Sequence, residues 1–136
     1  SFGKFYGLAG LRLGFAVGAQ YHLDDLAEMM GSWAVSGPAL AVGRAALTDR
    51  IWITQMTTQL ATESDQLDQL ATAAGWQIVG GTSLYRLYQM SDAAAWQDQL
   101  ARHQIWVRAF SYNANWLRLG LPPQTGWARL EQALGG

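Results

Sequence analysis

From Ala39 onward the apolar residues change their spacing in a fixed order, and that order dictates an architecture. Met56, Leu60, Leu67, Leu70 and Ala74 recur at helical spacing, so residues 39–74 are predicted as one long amphipathic helix with Glu63, Asp65 and Asp68 on its other faces. Gly75 is placed to close it. Residues 76–79 and 83–90 then read as strands, the second alternating with a period of two, with Gly80 and Gly81 as the turn. Asp92 suits the N-cap of a helix over residues 93–103 whose buried stripe includes Trp96 and Leu100. Two more strands, 105–110 and 116–121, flank the polar loop SYNAN, and after Pro122 and Pro123 a last helix capped by Thr125 presents Trp127, Leu130 and Leu134. Helix, two strands, helix, two strands and helix make an α/β (α+β) sandwich, a mainly antiparallel sheet with helices on one face.

The residues before this unit have a different character. SFGKFYGLAGLRLGFAVG opens as a glycine-punctuated loop and passes into LRLGFAV, which reads as a short buried strand. Residues 22–30 follow as a helix with Asp24, Asp25 and Glu28 in its early turns, and Gly31 ends it. GSWAVSGPAL reads as a connector, with Pro38 suited to the first turn of the next helix. Residues 1–35 are therefore expected to be the end of a preceding domain plus a connector, and residues 36–136 a second domain.

Charge and composition remove several functions. Half of the 136 residues are apolar and the net charge is -1, which fits a globular core and supplies no basic footprint for nucleic acid. There is no cysteine, and two histidines, His22 and His103, are too few to suggest a metal site. No apolar run is long enough to span a bilayer and the first residues do not have the order of a signal peptide, so a soluble cytoplasmic protein is expected, with no membrane partner.

Lys4 is the one lysine among nine basic residues, so chemistry that needs a primary amine has a single candidate. It lies in S-F-G-K-F-Y-G-L-A-G-L-R-L-G, with Ser1 three positions before it and Arg12 eight after. A hydroxyl, an amine and a guanidinium are what a pyridoxal-phosphate enzyme requires around its aldehyde and phosphate. A glycine-rich loop with a solvated lysine is the plainer reading of the same residues; a Walker phosphate loop is a poor match, since no Ser or Thr follows Lys4.

The segment is similar to the lysine motif of class I and II aminotransferases of fold type I. The resemblance implies that Lys4 is the catalytic residue, condensing with the cofactor aldehyde as a Schiff base and later moving protons at the substrate's α-carbon. It implies that Ser1 and Arg12 bind the phosphate of pyridoxal 5'-phosphate. Gly7, Gly10 and Gly14 are expected to let the backbone turn beside it.

A second constellation lies in IWVRAFSYNANWLRLGLPP, where Arg108 and Arg118 each sit among apolar and aromatic neighbours. A guanidinium in such a setting wants a carboxylate or phosphate. The alternative is that both lie on an exposed face and pair with surface acids. By position in the family, Arg118 binds the substrate's α-carboxylate, and Arg108 helps to hold its anionic groups. SFGKFYGLAGLRLGFA, GSWAVSGPAL and WLRLGLP resemble the threonine-phosphate decarboxylases of cobalamin biosynthesis, with histidinol-phosphate aminotransferases the next group.

The resemblance extends over almost the whole chain, and the lysine motif and the last arginine strand are its specific parts. It implies a phosphorylated amino-acid substrate, a homodimeric parent, and a chain that is the C-terminal part of that parent, inactive when isolated. A plain phosphate- or nucleotide-binding module is a further possibility. Trp52, Trp76, Trp96, Trp106 and Trp127 are expected to pack in cores, Trp33 to pack or else to line the active-site mouth, and Tyr6 is a candidate for contact with cofactor or partner.

Overall fold

In a computed structural model, which describes residues 1–135, the chain divides into two compact units, Ser1–Ile53 and Thr54–Gly136. The helices are α1 (Gln20–Met30), α2 (Gly37–Thr48), α3 (Arg50–Ala73), α4 (Ala93–Arg102) and α5 (Trp127–Gly135). The strands are β1 (Gln77–Gly81), β2 (Tyr85–Gln89), β3 (Arg108–Phe110) and β4 (Asn113–Gly120). The division falls inside α3. No helix of the described residues is long and apolar enough to cross a membrane.

The second unit is the predicted sandwich. Its strands run in the order β1-β2-β4-β3, every neighbouring pair antiparallel. Along β4, Leu117 and Leu119 are buried while Trp116, Arg118 and Gly120 face the other way, the alternation a one-sided sheet requires. Leu67 and Ala71 of α3, Leu100 of α4, and Leu130 and Leu134 of α5 join Tyr88, Leu117 and Leu119 in one core, so the helices cover one face. Asp92 caps α4 as expected, its Oδ1 accepting from the Ala95 N–H at 3.0 Å.

Three local expectations are corrected here. Gly80 and Gly81 are not the turn: they belong to β1 beyond a bulge between Ile78 and Gly80, and the chain reverses at 82–84, where Thr82 Oγ1 accepts from the Leu84 and Tyr85 N–H groups. Thr125 does not cap the last helix but lies within a 3-10 turn, Gln124–Gly126, that leads into α5. The long helix is two, because Asp49 leaves helical geometry at the end of α2 and its Oδ1 accepts from the Trp52 N–H at 2.9 Å, starting α3 afresh.

The first unit holds a loop, α1, α2 and the first turn of α3. LRLGFAV is not a strand. Leu11 ends a 3-10 turn, Arg12 is left-handed (φ 54°), and residues 13–17 have no strand partner among the described residues. A strand needs a neighbour for its backbone N–H and C=O groups; without one here, only Leu13 is buried, while Phe15 and Val17 are 65% and 98% exposed. Trp33 is likewise not packed: it is 96% exposed, with φ 65°.

Candidate functional site

The loop that carries Lys4 is closed on itself. The Leu8 N–H donates to the Phe2 carbonyl at 2.8 Å and the Gly7 N–H to the Lys4 carbonyl at 2.9 Å, with Gly7 at φ 66°, a conformation that glycine adopts without strain. Of the three glycines expected to turn the backbone, Gly7 alone has a positive φ. The Phe2 N–H donates to the Leu13 carbonyl at 3.0 Å, which ties the far end of the motif back to its start.

Phe2 and Leu13, both buried, seat this loop on Ala39 of α2, with Tyr6, Leu8, Leu11, Val35 and Ala46 around them. Gly43 makes that approach possible: a Cβ there would lie 2.3 Å from Leu13 Cδ2. Polar groups at the other side of the loop stay accessible.

Ser1, Lys4 and Arg12 line one cavity of about 250 Å³ together with Gly3, Ala9 and Gly14. All three side chains are exposed. Ser1 Oγ accepts from the Gly3 N–H at 3.2 Å, and Arg12 Nη1 donates to the Ala9 carbonyl at 3.3 Å, which leaves most of the guanidinium donors facing outward. A primary amine, a guanidinium and a hydroxyl at one cavity fit a phosphorylated aldehyde: one group to condense and two to hold an anion.

Arg108 and Arg118 belong to the second unit and are brought together by register, Arg108 on β3 opposite Arg118 on β4, on the face that carries no helices. The Arg118 guanidinium lies over the Tyr85 ring, 4.9 Å from its centroid. Both arginines are exposed, and among the described residues neither forms an ion pair. Their exposure fits the plainer reading of the two arginines, while among the described residues no acid pairs with either.

Arg86 is the arginine that does pair with an acid. It makes a bidentate contact with Asp68 of α3, Nε to Oδ1 at 2.9 Å and Nη2 to Oδ2, and the Tyr88 hydroxyl donates to the same Oδ1 at 2.7 Å. Partial burial acts to raise the Asp68 carboxyl, but the hydrogen bonds from Arg86 and Tyr88 and the Arg86 charge outweigh it, and the net shift is downward. Burial, then the bond to Asp68, raises the Tyr88 hydroxyl. No local pattern announces this cluster, since Arg86 and Tyr88 lie 18 and 20 residues from Asp68. Another cavity, of about 260 Å³, is lined by Trp106, Val107, Leu119, Pro122 and Arg129 and contains none of the predicted site residues.

An antiparallel sheet with helices on one face in one unit, and a glycine-turned loop that carries a lysine, a serine and an arginine in the other, is a fold shared with the aminotransferases. The chain belongs to the family described as Aminotransferase class I and II, which it matches over residues 1–135. It is 45% identical over 137 residues to a threonine-phosphate decarboxylase of Pseudomonas aeruginosa, covering 100% of this chain and 41% of that protein. A threonine-phosphate decarboxylase of a Sinorhizobium species is 41% identical over 135 residues, covering 98% and 40%. The fold is similar to that of histidinol-phosphate aminotransferase from Sinorhizobium meliloti in complex with pyridoxal-5'-phosphate, with a TM-score of 0.84 at 21% identity over 98% of this chain and 38% of the other. The chain spans about two fifths of the length of the curated relatives it matches.

Proposed function

We propose that this chain is part of a pyridoxal-phosphate-dependent enzyme that acts on a phosphorylated amino acid, with decarboxylation of threonine phosphate as the reaction. One observation carries the reading: Lys4 lines the same cavity as Ser1 and Arg12, in a chain 45% identical to a threonine-phosphate decarboxylase. In this reading residues 1–35 complete a cofactor-binding domain and residues 36–136 form the smaller domain, in a cytoplasmic homodimer serving cobalamin biosynthesis.

When bound, pyridoxal phosphate supplies an electron sink that stabilises negative charge at the substrate's α-carbon. Lys4 would hold the cofactor through its amine, and the same amine is the group that would carry a proton at that carbon. Ser1 Oγ and the outward donors of Arg12 bind the phosphate. Arg118 takes the α-carboxylate with its planar fork, its orientation supported by the Tyr85 ring, and Arg108 adds positive charge for a second anionic group.

The bond that breaks depends on how the substrate is held, so the same residues also serve a histidinol-phosphate-type aminotransferase. Supplying the intact protein with threonine phosphate decides between them: carbon dioxide and aminopropanol phosphate are the expected products, whereas amino-group transfer between glutamate and a keto acid would replace this reading with the second. Borohydride treatment with pyridoxal phosphate should leave a reduced adduct at Lys4, and its absence there would overturn both.

A further inference from the structure

We propose that Trp52 is a positioning residue for Lys4, acting through the aromatic residues that follow the lysine; the role in catalysis rests on the reading above. Lys4 is followed by Phe5 and Tyr6, and both rings close on the Trp52 indole. Tyr6 stacks on it at 5.6 Å with 16° between the planes, and Phe5 meets it edge-on at 5.5 Å and 77°. Phe5 also meets Tyr6 edge-on at 5.1 Å, so the three rings form a closed triangle. On its other face Tyr6 stacks on Phe2 at 4.7 Å and 16°, and Phe2 is buried.

The backbone around Lys4 is thereby held on both sides by rings, with the indole as the far support. The Trp52 backbone is held by its place three residues after Asp49, whose carboxylate accepts from the Trp52 backbone N–H. The two carbonyl bonds within the loop set its curvature, at Phe2 and at Lys4. The burial of Phe2 and Leu13 on α2 seats the ends of the loop, and the ring stack adds defined planes at Phe5 and Tyr6, directly after Lys4. Lys4 Nζ ends a long flexible side chain, so a small rotation at its Cα moves the amine by more than the backbone itself moves.

The test uses Trp52→Phe, which keeps a flat ring, and Trp52→Leu, which keeps apolar bulk and removes the plane. Without cofactor, the intact protein is labelled briefly with an amine-acylating reagent and modification at Lys4 is followed by peptide mass. Trp52→Leu should change the Lys4 rate severalfold and Trp52→Phe should return it close to wild type. With pyridoxal phosphate bound, near-visible circular dichroism should change in the same order. In turnover, Trp52→Leu should lower kcat on the order of tenfold to a hundredfold with little change in KM, the signature of a displaced reacting group.

Wild-type labelling and dichroism in Trp52→Leu would overturn the proposal, even if that variant melted at a lower temperature, because packing alone would then be the role of the indole. Equal effects of both substitutions would overturn it too. If wild-type protein forms no cofactor band at all, the enzymatic reading fails, and the labelling comparison still decides whether Trp52 sets the exposure of the amine.

Discussion

Arg108 and Arg118 are register partners on β3 and β4, two like charges facing each other across one antiparallel pair, with no acid bound to either among the described residues. Such a pair opposes folding, and its presence on a helix-free face makes sense if an anion completes it. Replacing Arg108 by Gln should therefore stabilise the ligand-free protein by about 0.2–1 kcal/mol. The gain should shrink in high salt, which screens exposed charges. Urea denaturation at low and high ionic strength checks both statements.

Substrate handling gives the opposite sign at the same place. In the intact enzyme Arg118→Ala should lower kcat/KM by about a hundredfold or more, since a charged hydrogen-bonding fork is removed, and Arg118→Lys should restore only part of it. Arg108→Gln should act mainly on KM for the phosphorylated substrate. Steady-state kinetics with and without the phosphate on the substrate separates the two arginines.

The close fit of α2 beneath the lysine loop predicts an interaction between two substitutions. Gly43→Ala gains about 1 kcal/mol of helix propensity but places a methyl group against Leu13, an overpacking that costs about 1–3 kcal/mol. The single variant should be neutral to destabilised. Combining it with Leu13→Ala should recover stability relative to the sum of the two single changes, as a double-mutant cycle by thermal melting would show.

The Asp68, Arg86 and Tyr88 cluster makes stability depend on pH at both extremes. The Asp68 carboxyl lies below its ordinary value of 3.8 in the folded state, so its contribution is present above about pH 4 and is lost as pH falls through the folded value. The Tyr88 hydroxyl lies above its ordinary value of 10.0, so its contribution is complete below that pH and declines as pH rises past it. Asp68→Asn should flatten the acid limb and cost about 1–3 kcal/mol near neutrality, because it weakens the hold on Arg86 and Tyr88 together. Urea midpoints measured across the pH range test the shape and the sign.

Leu100 is fully buried between α4 and the sheet, and Leu100→Ala should cost about 2–5 kcal/mol. The same truncation at exposed Val17 should leave stability within about 0.5 kcal/mol. Chemical denaturation of both variants reads the contrast.

The sheet and its helices were legible because each writes its own period into the chain: Leu117 and Leu119 alternate with Trp116 and Arg118, and Leu67 and Leu70 keep helical spacing. What was not legible depended on neighbours. LRLGFAV has the composition of a strand, yet a strand is a pairing and no sequence window contains its partner. The break at Asp49 is hidden in the sequence because periodicity continues across it, while the capping bond that makes it acts over only three residues. At the site, Ser1, Lys4 and Arg12 fall at recognisable spacing and line one cavity. Trp52 reads in the sequence as ordinary packing, since the rings of Phe5 and Tyr6 reach it only after the intervening chain has folded back.

The helix break at Asp49 also makes chain length around it an instruction in its own right. Counting starts again at that carboxylate, and Trp52 occupies a fixed angular phase three residues on. Inserting or deleting one residue between them would turn the indole by about 100° around the helix axis, with every amino acid of the aromatic triangle still present. Homologous swaps and grafts that preserve identity but shift this count would lose the alignment, whereas equal shifts in the exposed stretch around Trp33 would leave the phase untouched.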